Sequence, residues 1–128
     1  MRLLLDTHTF FWFILNDPLL SSYARNLIAD PNNEIEISPA TYWEIAIKIS
    51  IGKYSLTEPL DVFMERELAT NQFRVLHIEP RHVEPLTSLP FHHRDPFDRL
   101  IISQAMAEGI PVVSTDTAFD NYPIQRLW

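Results

Sequence analysis

An α/β fold, with a mainly parallel sheet flanked by helices on both faces, is predicted by three features of this 128-residue chain. Short apolar stretches alternate with helix-length segments, as they do along a series of strand–helix crossovers. The first stretch, Arg2-Leu3-Leu4-Leu5-Asp6, is apolar without alternation and ends in an acid, the pattern of a strand buried on both faces. No repeat, linker or low-complexity tract interrupts the order, and the length suits one domain over residues 1–128 with a substantial core.

The elements follow in turn. Asp6 or Thr7 caps an aromatic helix that runs to about Leu15. Asn16-Asp17-Pro18 stops it, because the residue before proline disfavours helical torsions. Ser21 or Ser22 opens a second helix through Ile28, and Asp30-Pro31-Asn32-Asn33 closes it. Glu34 to Ile37 alternates polar and apolar, as a strand does. Ser38-Pro39 is an N-cap followed by proline at the first helical position, and the helix it opens reaches a C-terminal glycine at Gly52. A further helix covers Leu60 to Thr70, Arg74 to Ile78 reads as a strand, and Pro80 to Leu86 as a short helix. After a loop at Pro90 to Arg94, Asp95-Pro96-Phe97-Asp98 opens a strong helix ending near Gly109. Pro111 to Ser114 is a short strand, Asp116 to Asp120 a helical turn, and Ile124 to Leu127 a last strand.

Composition removes several classes of function. Cysteine is absent, so there is no disulfide, thiolate zinc site or cysteine nucleophile. Only Gly52 and Gly109 occur, which rules out glycine-rich phosphate cradles. The unbroken apolar run Phe10 to Leu15 is too short to cross a bilayer, and Asp6 and His8 spoil any signal-peptide reading, so a soluble cytoplasmic protein is expected. Ten Lys and Arg against 17 Asp and Glu give a formal charge of −7, which disfavours broad binding of a phosphate backbone by charge alone. A polyanionic substrate would need a cation and local help from Lys48, Lys53, Arg94 or Arg99. A basic protein partner would suit the balance equally well.

Asp6, Glu44, Asp98 and Asp116 are distant in sequence but share one topological position. Each lies at a strand terminus or in the early turns of a helix beside the carboxyl edge of the sheet, where α/β folds bind ligands. Each also has an ordinary explanation. Asp6 and Asp116 suit helix caps, and Glu44 suits a surface ion pair with Lys48 four residues on. Asp95 and Asp98 suit a helix start, where the dipole favours acids, but only one is needed as the cap, which leaves Asp98 free. Carboxylates gathered in one crevice repel unless a cation joins them, so their common position implies a metal. Thr115 or Ser114 is expected to orient a carboxylate. The five histidines show no ligand spacing and are expected on surfaces and loops, with only His8 near the crevice.

The blocks Leu4-Leu5-Asp6-Thr7-His8, Ser38-Pro39-Ala40-Thr41-Tyr42-Trp43-Glu44-Ile45-Ala46-Ile47-Lys48, His93-Arg94-Asp95-Pro96-Phe97-Asp98-Arg99-Leu100 and Ser114-Thr115-Asp116 occur in this order. They resemble the blocks of PIN-domain ribonucleases, and more narrowly of VapC-like toxins from type II toxin–antitoxin modules. The resemblance implies a three-layer α/β/α sandwich and an endoribonuclease site dependent on Mg²⁺, with Mn²⁺ able to substitute. Asp6, Glu44, Asp98 and Asp116 would be its four acids. It further implies a homodimer and a cognate antitoxin whose tail blocks the site.

On this reading Asp6 and Asp98 hold the main metal and Asp116 completes it, while Glu44 serves a second metal or the attacking water. Thr7, Ser38 and Thr115 are expected as supporting donors, and Arg99 or Lys48 as grips on RNA. The helix bearing Phe10, Phe11, Trp12 and Phe13 is apolar nearly all round, so part of it is expected to face the antitoxin. A receiver-like phosphoacceptor domain and a non-catalytic interaction module are the alternatives.

Overall fold

The computed structural model describes residues 1–128. Its centre is a five-stranded, wholly parallel sheet in the order β3-β2-β1-β4-β5. The strands are β1 (Arg2–Leu5), β2 (Glu34–Ile37), β3 (Arg74–Val75), β4 (Val112–Val113) and β5 (Arg126–Leu127). The helices are α1 (Thr7–Ile14), α2 (Ser22–Ala29), α3 (Pro39–Ser50), α4 (Leu60–Thr70), α5 (Pro80–Val83) and α6 (Pro96–Glu108). Two 3₁₀ turns, Glu84–Thr87 and Thr117–Asn121, complete the chain. The last three strands are shorter than their sequence patterns imply. Proline at positions 80, 111 and 123 and the turns beside it leave only two residues of each in register.

The period of two along the strands sorts side chains to two cores, which makes the three layers. Leu3, Leu5, Ile35, Ile37 and Val113 face α1 to α4 and pack on Phe10, Ala24, Ile45 and Phe63. Leu4 and Val112 face the other way, onto Leu100, Ile101, Ile102 and Ala105 of α6. Glu36 falls on that second face and is buried. Arg2 neutralises it with two bonds of 3.0 Å and also reaches Glu108. Arg81, and Arg2 after it, draw the Glu108 carboxyl down to about 2 despite opposing desolvation. No helix is long and apolar enough to cross a membrane.

The start signals act as expected. Ser21 and Ser38 accept hydrogen bonds from the first turns of α2 and α3. Gly109 sits beyond α6 at φ 65°, where a side chain would be strained. Because β1 is central, with β2 on one side and β4 on the other, the chain reverses its winding there. A crevice therefore opens at the carboxyl edge between the two halves.

Candidate metal centre

Four elements deliver acids to this crevice. Asp6 follows β1 directly and is 4% exposed. Its Oδ1 accepts the Thr9 N–H at 2.9 Å as the cap of α1, leaving Oδ2 to accept the Ser114 hydroxyl at 2.5 Å. Ser114 in turn accepts the Asp116 N–H at 3.1 Å, so one hydroxyl ties the acid after β1 to the acid after β4. Strand alternation turns Ser114 inward and Thr115 outward. The expected supporting role therefore belongs to Ser114, and Thr115 is exposed.

Asp95 caps α6, accepting the Phe97 and Asp98 N–H groups on one oxygen at 2.8 and 3.3 Å. Asp98 is thereby released from capping. Burial pushes its carboxyl up to about 8, and the negative charges of Asp95, Asp6, Glu44 and Asp116 add to the effect. Nothing among these causes acts downward. Four acids, the cap residue Asp95 among them, are thus near enough to act on Asp98.

Glu44 is 5% exposed, so it is not a solvated surface acid. Burial raises its pKa, and the Thr7 hydroxyl and the Lys48 charge offset only part of the rise. Its Oε1 is buried with no hydrogen-bond partner. Asp116 is the most accessible of the set. Burial pushes its pKa up, but His93, the Ala118 N–H and Arg126 outweigh it, and the net shift is downward.

His93 was not expected here. It is 9% exposed, and its Nε2 lies 2.9 Å from Asp116 Oδ2. His93, Asp98 and Asp116 each offer one donor atom within 4.8 Å of the others. The expectation that only His8 lies near the crevice is corrected by His93, a loop residue there, and the surface-or-loop expectation by His82, which is fully buried in α5. His8 is exposed and stacks on Trp12.

Arg99 is also corrected. It is buried, and its guanidinium donates to the carbonyls of Pro90, Leu89 and His93, so it organises a loop and cannot grip RNA. Ser38 is fully buried, and its hydrogen bonds do not go to the acids. It caps α3 and meets Gln104 at 2.5 Å, which ties β2 to α6. Thr7 donates to Thr41 at 3.4 Å beside Glu44. Lys48 is half-buried, 6.0 Å from the Tyr54 ring centroid. Phe10 is fully buried in the sheet core and cannot face a partner, whereas Phe11, Trp12 and Phe13 are half-buried.

The donor set fits a hard divalent ion. It is rich in carboxylate oxygen, contains no thiolate, and includes an orphaned buried oxygen and a carboxyl whose pKa burial and neighbouring acids both raise. Of the four acids expected, Asp98 and Asp116, with His93, have donor atoms close enough to share one ion, whereas Asp6 and Glu44 stand outside that group.

No curated protein matches the chain. Among solved structures, a chain of VapBC2 from Rickettsia felis, bound to a DNA fragment from their promoter, superposes with a TM-score of 0.67 at 20% identity. The match covers 99% of this chain and 98% of that one. VapBC-1 from nontypeable Haemophilus influenzae gives 0.61 at 17% identity, over 99% and 97% of the two chains. VapBC-5 from Mycobacterium tuberculosis, of the VapBC family of toxin–antitoxin systems, gives 0.60 at 16%, over 98% of each. These likenesses show a shared fold. The PIN domain family model matches residues 3–125, essentially every element from β1 to the approach of β5, and the chain belongs to that family.

Proposed function

We propose that this PIN domain is a divalent-metal-dependent endoribonuclease and the toxin of a type II toxin–antitoxin pair. The observation that carries the nuclease reading is the grouping of Asp98 and Asp116 with His93, donor atoms within 4.8 Å of one another, around a carboxyl that burial and then four neighbouring acids push up to about 8. A site so arranged is unfavourable alone and is completed by a cation. When bound, Mg²⁺ or Mn²⁺ would neutralise the carboxylates, lower the pKa of a water and offset charge on the scissile phosphate. The protein's own part is positional. Ser114 holds Asp6 and Asp116 in register, Asp95 frees Asp98, and the orphaned Glu44 oxygen is available to accept a proton or a hydrogen bond from water.

The test is incubation of the purified chain with matched RNA and DNA oligonucleotides, with Mn²⁺, Mg²⁺ or chelator. The expected outcome is RNA cleavage with either metal and none with chelator. Cleavage that persists in chelator would overturn the metal reading, and DNA cut as fast as RNA would overturn the ribonuclease reading.

The toxin reading is supported by the VapBC neighbours and by the groove beside α1. Phe11, Trp12, Leu15, Tyr54, Leu56 and Phe63 line about 410 Å³ there, with Lys53 and Asp17 at its rim. An antitoxin helix would lay apolar side chains into it. Trp12 is the anchor ring, standing between His8 and Trp128. Trp12→Glu should weaken affinity for the antitoxin by roughly thirtyfold or more, the loss typical of a central aromatic anchor. Cleavage by the variant alone should persist, which separates loss of docking from loss of fold. The homodimer is a further part of this reading, supported by the exposed Trp43 and Ile47 on α3 and Ile51 just after it.

A further inference from the structure

The loop before α6 is fastened from two directions, and the residue it presents is His93. Arg99 of α6 donates to the loop carbonyls of Leu89 at 3.0 Å, Pro90 at 2.9 Å and His93 at 3.4 Å. Tyr122, beyond β4, donates its hydroxyl to Pro90 O at 3.1 Å and accepts the His93 N–H at 2.9 Å. The imidazole stacks on Tyr122, with ring centroids 5.5 Å apart, and meets Phe119 edge-on at 4.9 Å. It has no room to swing.

Its two nitrogens differ. Nδ1 is buried with no hydrogen-bond partner, and Nε2 faces Asp116 Oδ2 at 2.9 Å. An ionised carboxylate only accepts, so the shared proton belongs to Nε2. Direct ligation of a metal by Nε2 would drive that proton onto Nδ1, where no acceptor waits. Metal-bound histidines ordinarily give their second N–H to a partner.

We propose that His93 is a positioning residue for Asp116: its Nε2–H holds Oδ2 while the Ala118 N–H holds Oδ1, fixing the most exposed of the four acids for the metal. Asp116 needs such a tether because its side chain is 43% exposed and it caps a short 3₁₀ turn rather than lying on a long helix. Asp6 is buried and already bonded on both oxygens by Thr9 and Ser114, and Glu44 is held by burial. The proposal rests on the metal reading given above, and its test separates the two.

The full chain is titrated with Mn²⁺ alone by calorimetry as wild type, His93→Gln, His93→Phe, Asp116→Asn and the His93→Phe/Asp116→Asn double variant. Melting in chelator checks the fold. Phenylalanine keeps an aromatic ring but loses the donor, whereas glutamine keeps an N–H near the Nε2 position. His93→Phe should weaken Mn²⁺ binding ten- to hundredfold, and His93→Gln should stay within about threefold of wild type. The double variant should bind no more weakly than Asp116→Asn, because both changes act on one interaction. Independently of any variant, ¹⁵N spectra of the wild type should show the proton on Nε2 of His93, shifted by Asp116→Asn.

His93→Phe binding at wild-type strength, or an Nε2 without a proton, overturns the role of His93 alone. Wild-type protein that binds no Mn²⁺ overturns the metal reading and this proposal with it.

Discussion

Asp98→Asn will lower RNA cleavage with Mg²⁺ or Mn²⁺ by at least about a thousandfold while leaving the fold intact. That exceeds the roughly ten- to hundredfold effect of groups one step removed from a metal, because Asp98 would supply a ligand itself. Asparagine is nearly isosteric with the acid. Capping of α6 is untouched, since Asp95 makes both bonds to the first turn. Asp6 and Asp116 stay anchored by hydrogen bonds from Ser114 and Ala118 that do not involve Asp98, and Glu44 by its burial. Asp6→Asn should be similarly inactive, but its interpretation is less clean because Asp6 also caps α1 through Thr9. Cleavage of a labelled oligonucleotide, read at equal protein concentration with melting temperature as control, checks both. A folded Asp98→Asn that cuts at the wild-type rate would remove the acid cluster from the chemistry.

The sheet and its two helical layers were legible in the sequence for local reasons. β1 is a short apolar run, the helices open at Ser21, Ser38 and Asp95, and the acids sit where strand ends meet helix starts. What the sequence hid was orientation and long-range tethering. Arg99 is one residue from Asp98, yet a turn of about 100° per residue points it into the loop carbonyls, away from the crevice. Thr115 and Ser114 are adjacent hydroxyls, and only the pleat decides which faces the acids. Phe10 looks like its three neighbours in sequence, but α1 packs that one ring fully into the core.

His93 was invisible for a stronger reason. It belongs to a dipeptide of histidines in a loop, with no periodicity to say which is buried. Its place is set by Tyr122, 29 residues on, and by an arginine whose own role was misread. A signal did exist: a loop between two prolines, followed by a helix carrying arginine in its first turn, invites that arginine to satisfy loop carbonyls.

Capping and metal binding, weighed as alternatives for each acid, are compatible uses of one carboxylate. Asp6 and Asp116 each commit one oxygen to a helix start and turn the other to a hydroxyl or an imidazole. A cap restricts the rotamer, so the same bond that satisfies a backbone donor also pre-orients the remaining oxygen. Glu44 lies farther into its helix and has no such tether. Burial takes its place, at the cost of an unpartnered oxygen and a raised pKa.

The second large effect is on stability, and its sign follows from Asp98. In chelator, the folded protein holds the Asp98 proton up to about pH 8, whereas an ordinary aspartate releases it near 3.8. The folded pKa is the raised one. The associated stability is therefore full below the unfolded value and is lost progressively as pH rises from about 4 through about 8. A shift of this size corresponds to a few kcal/mol, at about 1.4 kcal/mol for each pH unit.

Glu44 shifts in the same direction, and Asp116 in the opposite one, but both are common to the two proteins compared. Asp98→Asn cannot ionise and escapes the penalty. At pH 8 in chelator it should melt about 5–15 °C above wild type, with the gap closing as pH falls toward 4. Adding Mn²⁺ at pH 8 should reverse the order, raising the wild-type melting temperature and leaving the variant nearly unmoved. Differential scanning calorimetry across this pH range reads all three trends. Equal melting of the two proteins at pH 8 in chelator would show that the acids do not crowd Asp98, and the strain that makes a cation welcome would be absent.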